Sequence, residues 1–144
     1  MTDVQYSDLP RPSGGVDHRY GPNVHILSHP FAMGMLERLS APQTVQPEVN
    51  RLVGGLYDLL LADVANRLLT THQVETPTRM IEFTEHGVYR GESIVRDQKV
   101  VVVDVARAGI IPAHHFYEGL HHVIDPANLR QDHVVASRTT DTDG

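Results

Sequence analysis

Cysteine is absent from the 144-residue chain. That excludes a disulfide framework, a thiolate nucleophile and any cysteine-based zinc or iron–sulfur site. No apolar run reaches the roughly 18 residues that a membrane-spanning helix needs, and Met1 to Pro10 lacks the basic-then-apolar order of a signal peptide. A cytoplasmic protein with no membrane partner is the expectation. Positive charge is scarce as well: the formal net charge is -6, so the global basic footprint of a nucleic-acid binder is missing. Lysine occurs once, as Lys99, beside eleven arginines. The planar guanidinium fork suits phosphate, but coding bias explains a whole set of arginines equally well, so only individually placed ones carry weight. Gly-x-Ser-x-Gly, a glycine-rich P-loop and His-Glu-x-x-His are all absent.

What is present is the composition of an ordinary globular domain, 40% hydrophobic and 21% charged. Residues 1 to 23 hold Pro10, Pro12, Gly14, Gly15, Gly21 and Pro22 with few large aliphatics, and read as a flexible N-terminal arm. The domain proper is expected over residues 24 to 144. After the apolar run Val24-His25-Ile26-Leu27, a first helix is predicted over about residues 30 to 39. Pro30 stands in its first turn, where a missing N–H costs little, and Phe31, Met35 and Leu39 share a face. Thr44 is the expected N-cap of the longest element, roughly residues 46 to 69. There Val49, Leu52, Val53, Leu56, Leu59, Leu60, Val64 and Leu68 recur at three- and four-residue steps. That spacing predicts burial of Leu52, Leu56, Leu59 and Leu60. Gly54 and Gly55 inside the pattern each cost about 1 kcal/mol against alanine, which close approach of another helix would justify.

From Thr76-Pro77 onward, Met80, Ile81, Phe83, Val88 and Tyr89 with Gly87 and Gly91 read as a hairpin or flap. Val100-Val101-Val102-Val103 reads as a buried central strand of the parallel type, stopping at Asp104. Val105-Ala106-Arg107-Ala108-Gly109 is a tight strand-to-helix turn, Ile111 to Val123 the following helix, and His133 to Ala136 a second strand. Strand, helix, strand makes a βαβ unit and an α/β fold. In open α/β sheets ligands bind at the carboxyl ends of the strands. Small residues there let a ligand approach the backbone, and the amides of a helix N-terminus favour an anion. Arg107 supplies a fixed positive charge, unless it is tied to Asp104 or another carboxylate.

His-Pro at the start of the first helix (His29-Pro30), a long second helix, a β flap, and an aliphatic strand running into Arg-Ala-Gly resemble the uracil phosphoribosyltransferase family. A second arginine after the next strand, Arg138 following Val134-Val135-Ala136-Ser137, adds to the likeness, which covers about residues 24 to 138. The resemblance implies the N-terminal portion of a type I phosphoribosyltransferase fold: a parallel sheet flanked by helices, with a β flap. It implies transfer of a ribose phosphate from phosphoribosyl pyrophosphate to uracil, giving uridine monophosphate and pyrophosphate, with magnesium carried on the substrate. Arg107, Ala108, Gly109 and Arg138 match the pyrophosphate-binding positions. The residues that carry out catalysis are not identified by it.

Three departures accompany the likeness. Proline usually precedes Ile/Leu-Arg-Ala-Gly in the family, whereas Asp104-Val105-Ala106 stands here, and a carboxylate weakens the local positive field unless magnesium or Arg107 engages it. Downstream, Ile110-Ile111-Pro112 replaces a Gly-Met type of pair. The family's phosphoribosyl loop, Asp-Pro-x-x-Ala-Thr-Gly-x-Ser, has no match in these residues. The chain is therefore expected to be incomplete at its C-terminus, inactive alone, and either self-associating or completed by a second chain. The rival readings are a non-catalytic binding or regulatory module on the same scaffold, and a histidine-rich metal-binding protein. The latter rests on ten histidines and on His115, Glu118 and His122 at helical spacing. A solvated or dimer-facing helix is the commoner cause of such spacing, and no protein-held metal is expected.

Overall fold

The computed structural model of the protein describes residues 15–137. It is an α/β structure of three helices and two small sheets. In chain order the elements are α1 (Pro30–Ser40), α2 (Glu48–Leu68), β1 (Thr71–Pro77), β2 (Val88–Ile94), β3 (Val100–Ala106), α3 (Ile110–Leu120) and β4 (Leu129–Val135). None of the helices among the described residues is long and apolar enough to cross a membrane.

α1 starts as its sequence requires, with Pro30 in the first turn and His29 as the N-cap, its Nδ1 accepting from the Ala32 amide at 3.4 Å. α2 has no side-chain cap. Thr44 sits outside the helix, and its hydroxyl donates instead to the Arg38 carbonyl, closing the end of α1. An ion pair from Arg38 to Glu48 joins the same two helix ends. The glycines of α2 mark where its neighbours come closest. A methyl group added at Gly54 would overlap the His115 ring of α3, and one at Gly55 would overlap the thioether end of Met35 of α1. A neighbouring helix thus comes close at each of these glycines, α3 at Gly54 and α1 at Gly55. The apolar pattern of α2 is wider than its covered face, however. Leu52 is buried, Leu56 and Leu59 are half-buried, and Leu60 is exposed together with Val64 and Leu68 one and two turns on. Phe31 is likewise exposed on α1.

β1 and β2 pair antiparallel from Thr71↔Ile94 to Pro77↔Val88. The flap is therefore a hairpin, but Thr76-Pro77 ends its first strand rather than opening it. Met80, Ile81 and Phe83 lie exposed in the connecting loop, because proline cannot extend the ladder and the Thr78 and Gly87 backbones close it at 2.8 Å. The exposed cross-strand partners Glu75 and Arg90 meet at 2.6 Å. That hydrogen bond and the guanidinium's charge hold the Glu75 carboxyl below its ordinary range.

β3 and β4 pair in parallel, Val100↔Leu129 through Ala106↔Val135. β4 starts four residues before the expected His133, since Asp125 caps a short 3-10 turn, Pro126–Asn128, that delivers the chain to Leu129. β3 is not a buried central strand: one face carries Val100, Val102, Asp104 and Ala106 toward α3, while Val101, Val103 and Val105 on the other are about half exposed. Among the described residues this two-stranded sheet has its helical cover, α3, on one face. The core gathers at the amino ends of the two strands, where Leu120, Ile124 and Leu129 are buried against Leu61, Leu69, Ile94, Val100 and Val102. Of the expected arm, Gly15 bridges to Leu27 and Val16 donates to the Ile26 carbonyl at 3.1 Å. Among the described residues the arm thus turns back onto residues 24–27.

Gly34 of α1 has open space where a side chain would project. Gly34→Ala should therefore stabilise the fold by about 0.5–1 kcal/mol through lower backbone entropy in the unfolded chain. Urea unfolding followed by circular dichroism measures it.

Candidate functional site

The carboxyl end of β3, the turn after it and the start of α3 enclose a cleft of about 570 Å³. It is lined by Val102 to Gly109 from the strand and turn, by Pro112, Ala113 and Phe116 from α3, and by Tyr57 from α2. Phe116 meets Tyr57 edge to face, with ring centroids 6.2 Å apart. The core lies at the opposite end of the strands, so few apolar side chains fill this end. Val135, the last residue of β4, is almost fully exposed.

Arg107, Ala108 and Gly109 all line this cleft. The peptide between Ala106 and Arg107 is cis. Arg107 is exposed and has no ion-pair partner among the described residues. Gly109 is the N-cap of α3 and donates to the Val105 carbonyl at 3.1 Å. A Cβ there would stand 2.9 Å from both the Val105 carbonyl oxygen and the Asp104 Cβ. Glycine is what lets α3 begin directly on top of β3. Arg138 lies outside the described residues.

Asp104 does not pair with Arg107. Its side chain is 4% exposed, and its Oδ2 accepts from His133 Nδ1 at 2.7 Å, its register partner on β4. Asp104 Oδ1 has no hydrogen-bond partner among the described residues. With the carboxylate as acceptor, the ring donates from Nδ1, and Nε2 has no hydrogen-bond partner among the described residues. The His133 side chain is 47% exposed. Sequence reasoning singled out Asp104 but missed His133, because the pairing follows from a β4 that begins at Leu129. With β4 begun at His133 there is no register to consult. Tyr57 and Phe116 were missed too, each being indistinguishable in sequence from core.

His115, Glu118 and His122 do not converge. The His115 ring lies over Gly54 with its Nδ1 3.6 Å from Asp58, and the neighbouring His121 Nδ1 lies 2.9 Å from its own helix's Tyr117 carbonyl. Among the described residues no three His, Asp or Glu side chains are grouped to hold a metal ion. Asp104 is the one carboxylate among the residues lining the cleft, and its Oδ2 is held by His133.

No protein-family model matches the chain, and no curated protein matches it. Among solved structures it is similar to the AQ2163 protein from Aquifex aeolicus, at 20% identity and a TM-score of 0.48, over 74% of this chain and 45% of that one. The chain thus spans less than half the length of that protein.

Gly109→Ala should destabilise the fold by about 1–3 kcal/mol, since the added methyl meets backbone that cannot rotate away. A shift in the guanidinium midpoint without change in slope is the expected result, and an unshifted midpoint would mean that the turn has room to move.

Proposed function

We propose that the chain is a uracil phosphoribosyltransferase-like α/β protein whose Arg107-Ala108-Gly109 turn receives the pyrophosphate of phosphoribosyl pyrophosphate. The observation that carries this reading is the placement of an exposed Arg107, without an ion-pair partner among the described residues, at the carboxyl end of a parallel strand, beside the amino end of the helix that follows. A guanidinium fork and helix-start amides suit an anionic leaving group that gains charge as its bond to the sugar breaks. In the reaction so assigned, a uracil nitrogen forms the bond to the anomeric carbon and gives up its proton, while pyrophosphate departs with the electron pair. Arg107 bears the charge that develops at the departing end. Arg138 is proposed as the second arginine of the same anion site. Magnesium belongs to this reading as an ion carried on the substrate.

The finer features of a type I phosphoribosyltransferase sheet belong to the same proposal, as do a cytoplasmic location and self-association or completion by a second chain. Val101, Val103 and Val105 support the association, since half-exposed valines on one sheet face favour cover by another surface.

Arg107→Ala should weaken pyrophosphate binding about tenfold or more, the loss expected when a charge-assisted hydrogen bond worth about 1.5–3 kcal/mol is removed. Unchanged affinity by calorimetry would reject the assignment of Arg107. The unaltered chain, given uracil, phosphoribosyl pyrophosphate and magnesium, should form no uridine monophosphate above background, and light scattering should show a mass above that of one chain. Robust turnover by a monomer would show that these residues hold the sugar phosphate without the family's loop.

A further inference from the structure

We propose that Asp104 and His133 are a further part of this anion site, a pair that takes up a proton when pyrophosphate binds over the Arg107–Gly109 turn. The inference rests on the reading of that turn as a pyrophosphate site.

It begins with the place of the carboxylate. Asp104 lies under the turn, close enough that a side chain at Gly109 would collide with its Cβ. It is almost completely removed from water, one oxygen is held by His133 and the other has no partner among the described residues. Buried polar atoms without a partner are rare and costly, and those that persist call for a physical reason. A negative charge in this position opposes the arrival of a second one directly above it, with little solvent between to screen the two.

The histidine supplies the remedy. With the ring neutral, the pair carries one negative charge; with the ring protonated, it carries none. Asp104 already receives the Nδ1 proton, so the free nitrogen is Nε2, and a half-exposed ring can take a proton there from solvent. A bound anion favours the protonated pair, and by reciprocity a protonated pair favours the anion. No covalent bond changes: one proton moves from solvent to Nε2.

The other charged groups around the pair do not supply this compensation. Arg107 in the turn is a fixed positive charge, and Tyr57 of α2 is the other titratable side chain on the cleft. α3 presents Pro112, Ala113 and Phe116 to the cleft, and its His115 is directed to Asp58 of α2. On β4, Arg130 and Asp132 pair with each other at 2.6 Å and lie on the opposite face of the strand from His133. His133 is therefore the proton-accepting partner that Asp104 has on its own side of the sheet.

The test follows the His133 ring by NMR across about pH 5 to 8, in the whole chain, with and without saturating pyrophosphate. The expected result is a titration midpoint that rises by about one unit when pyrophosphate is present, equivalent to about tenfold tighter binding by the protonated form. His133→Gln should remove the extra pH dependence of pyrophosphate binding measured by calorimetry, and an unchanged pH profile in that variant would overturn the proton coupling. A midpoint that stays put while the Arg107 side-chain signals respond to pyrophosphate would overturn the proton coupling and leave the anion site standing. No response at Arg107 or His133 would overturn both.

Discussion

Two parallel strands cannot be joined by a tight turn, and the pairing of β3 with β4 sets the conditions for everything around it. Residues 107–128 must travel from the carboxyl end of one strand back to the amino end of the next. They do so as a turn, a helix and a short 3-10 segment laid over one face of the pair. The return leg places Leu120, Ile124 and Leu129 together at the amino ends and produces the best-packed part of the molecule. The outgoing leg leaves Arg107, Ala108 and Gly109 at the other end, where packing is thin. One topological requirement thus separates a stable end from an accessible one.

The two faces of that strand pair differ in chemistry as well as cover. On the α3 side, β3 carries a buried carboxylate at a position where its sequence would otherwise place a fourth aliphatic residue. On the far side it carries valines that nothing described covers. Asp104 gives up hydration for one hydrogen bond to His133, an arrangement with little thermodynamic merit of its own. It is therefore better understood through what sits above it than through what it adds to stability.

The elements with the longest repeats were the most legible. Val49 to Leu68 gave the length of α2 to within two residues at either end, and Gly54 and Gly55 correctly marked the approach of neighbouring helices. The parallel strand, the Arg107 turn and its cleft followed from an aliphatic run that stops at small residues. What periodicity could not supply was cover. It treats Leu60 and Leu52 alike, yet only the second is buried. Thr44 had the chemistry of a helix cap but the wrong distance, and spent its hydroxyl on the preceding helix. The Asp104–His133 pair lies 29 residues apart in sequence and becomes visible only when the register of β4 is known. Long-range pairing of this kind leaves no local trace.

Lys99, exposed and immediately ahead of β3, has a practical meaning in this geometry. It stands at the amino end of a seven-residue strand whose other end opens on the cleft, and such a strand spans about 20 Å. Apart from the chain's own α-amino group, its ammonium is the only primary amine in the sequence. Coupling through that side chain to a bead, a dye or a sensor surface would occur at one defined point. The tether would pull on the well-packed end of the sheet and leave the Arg107 turn facing solution.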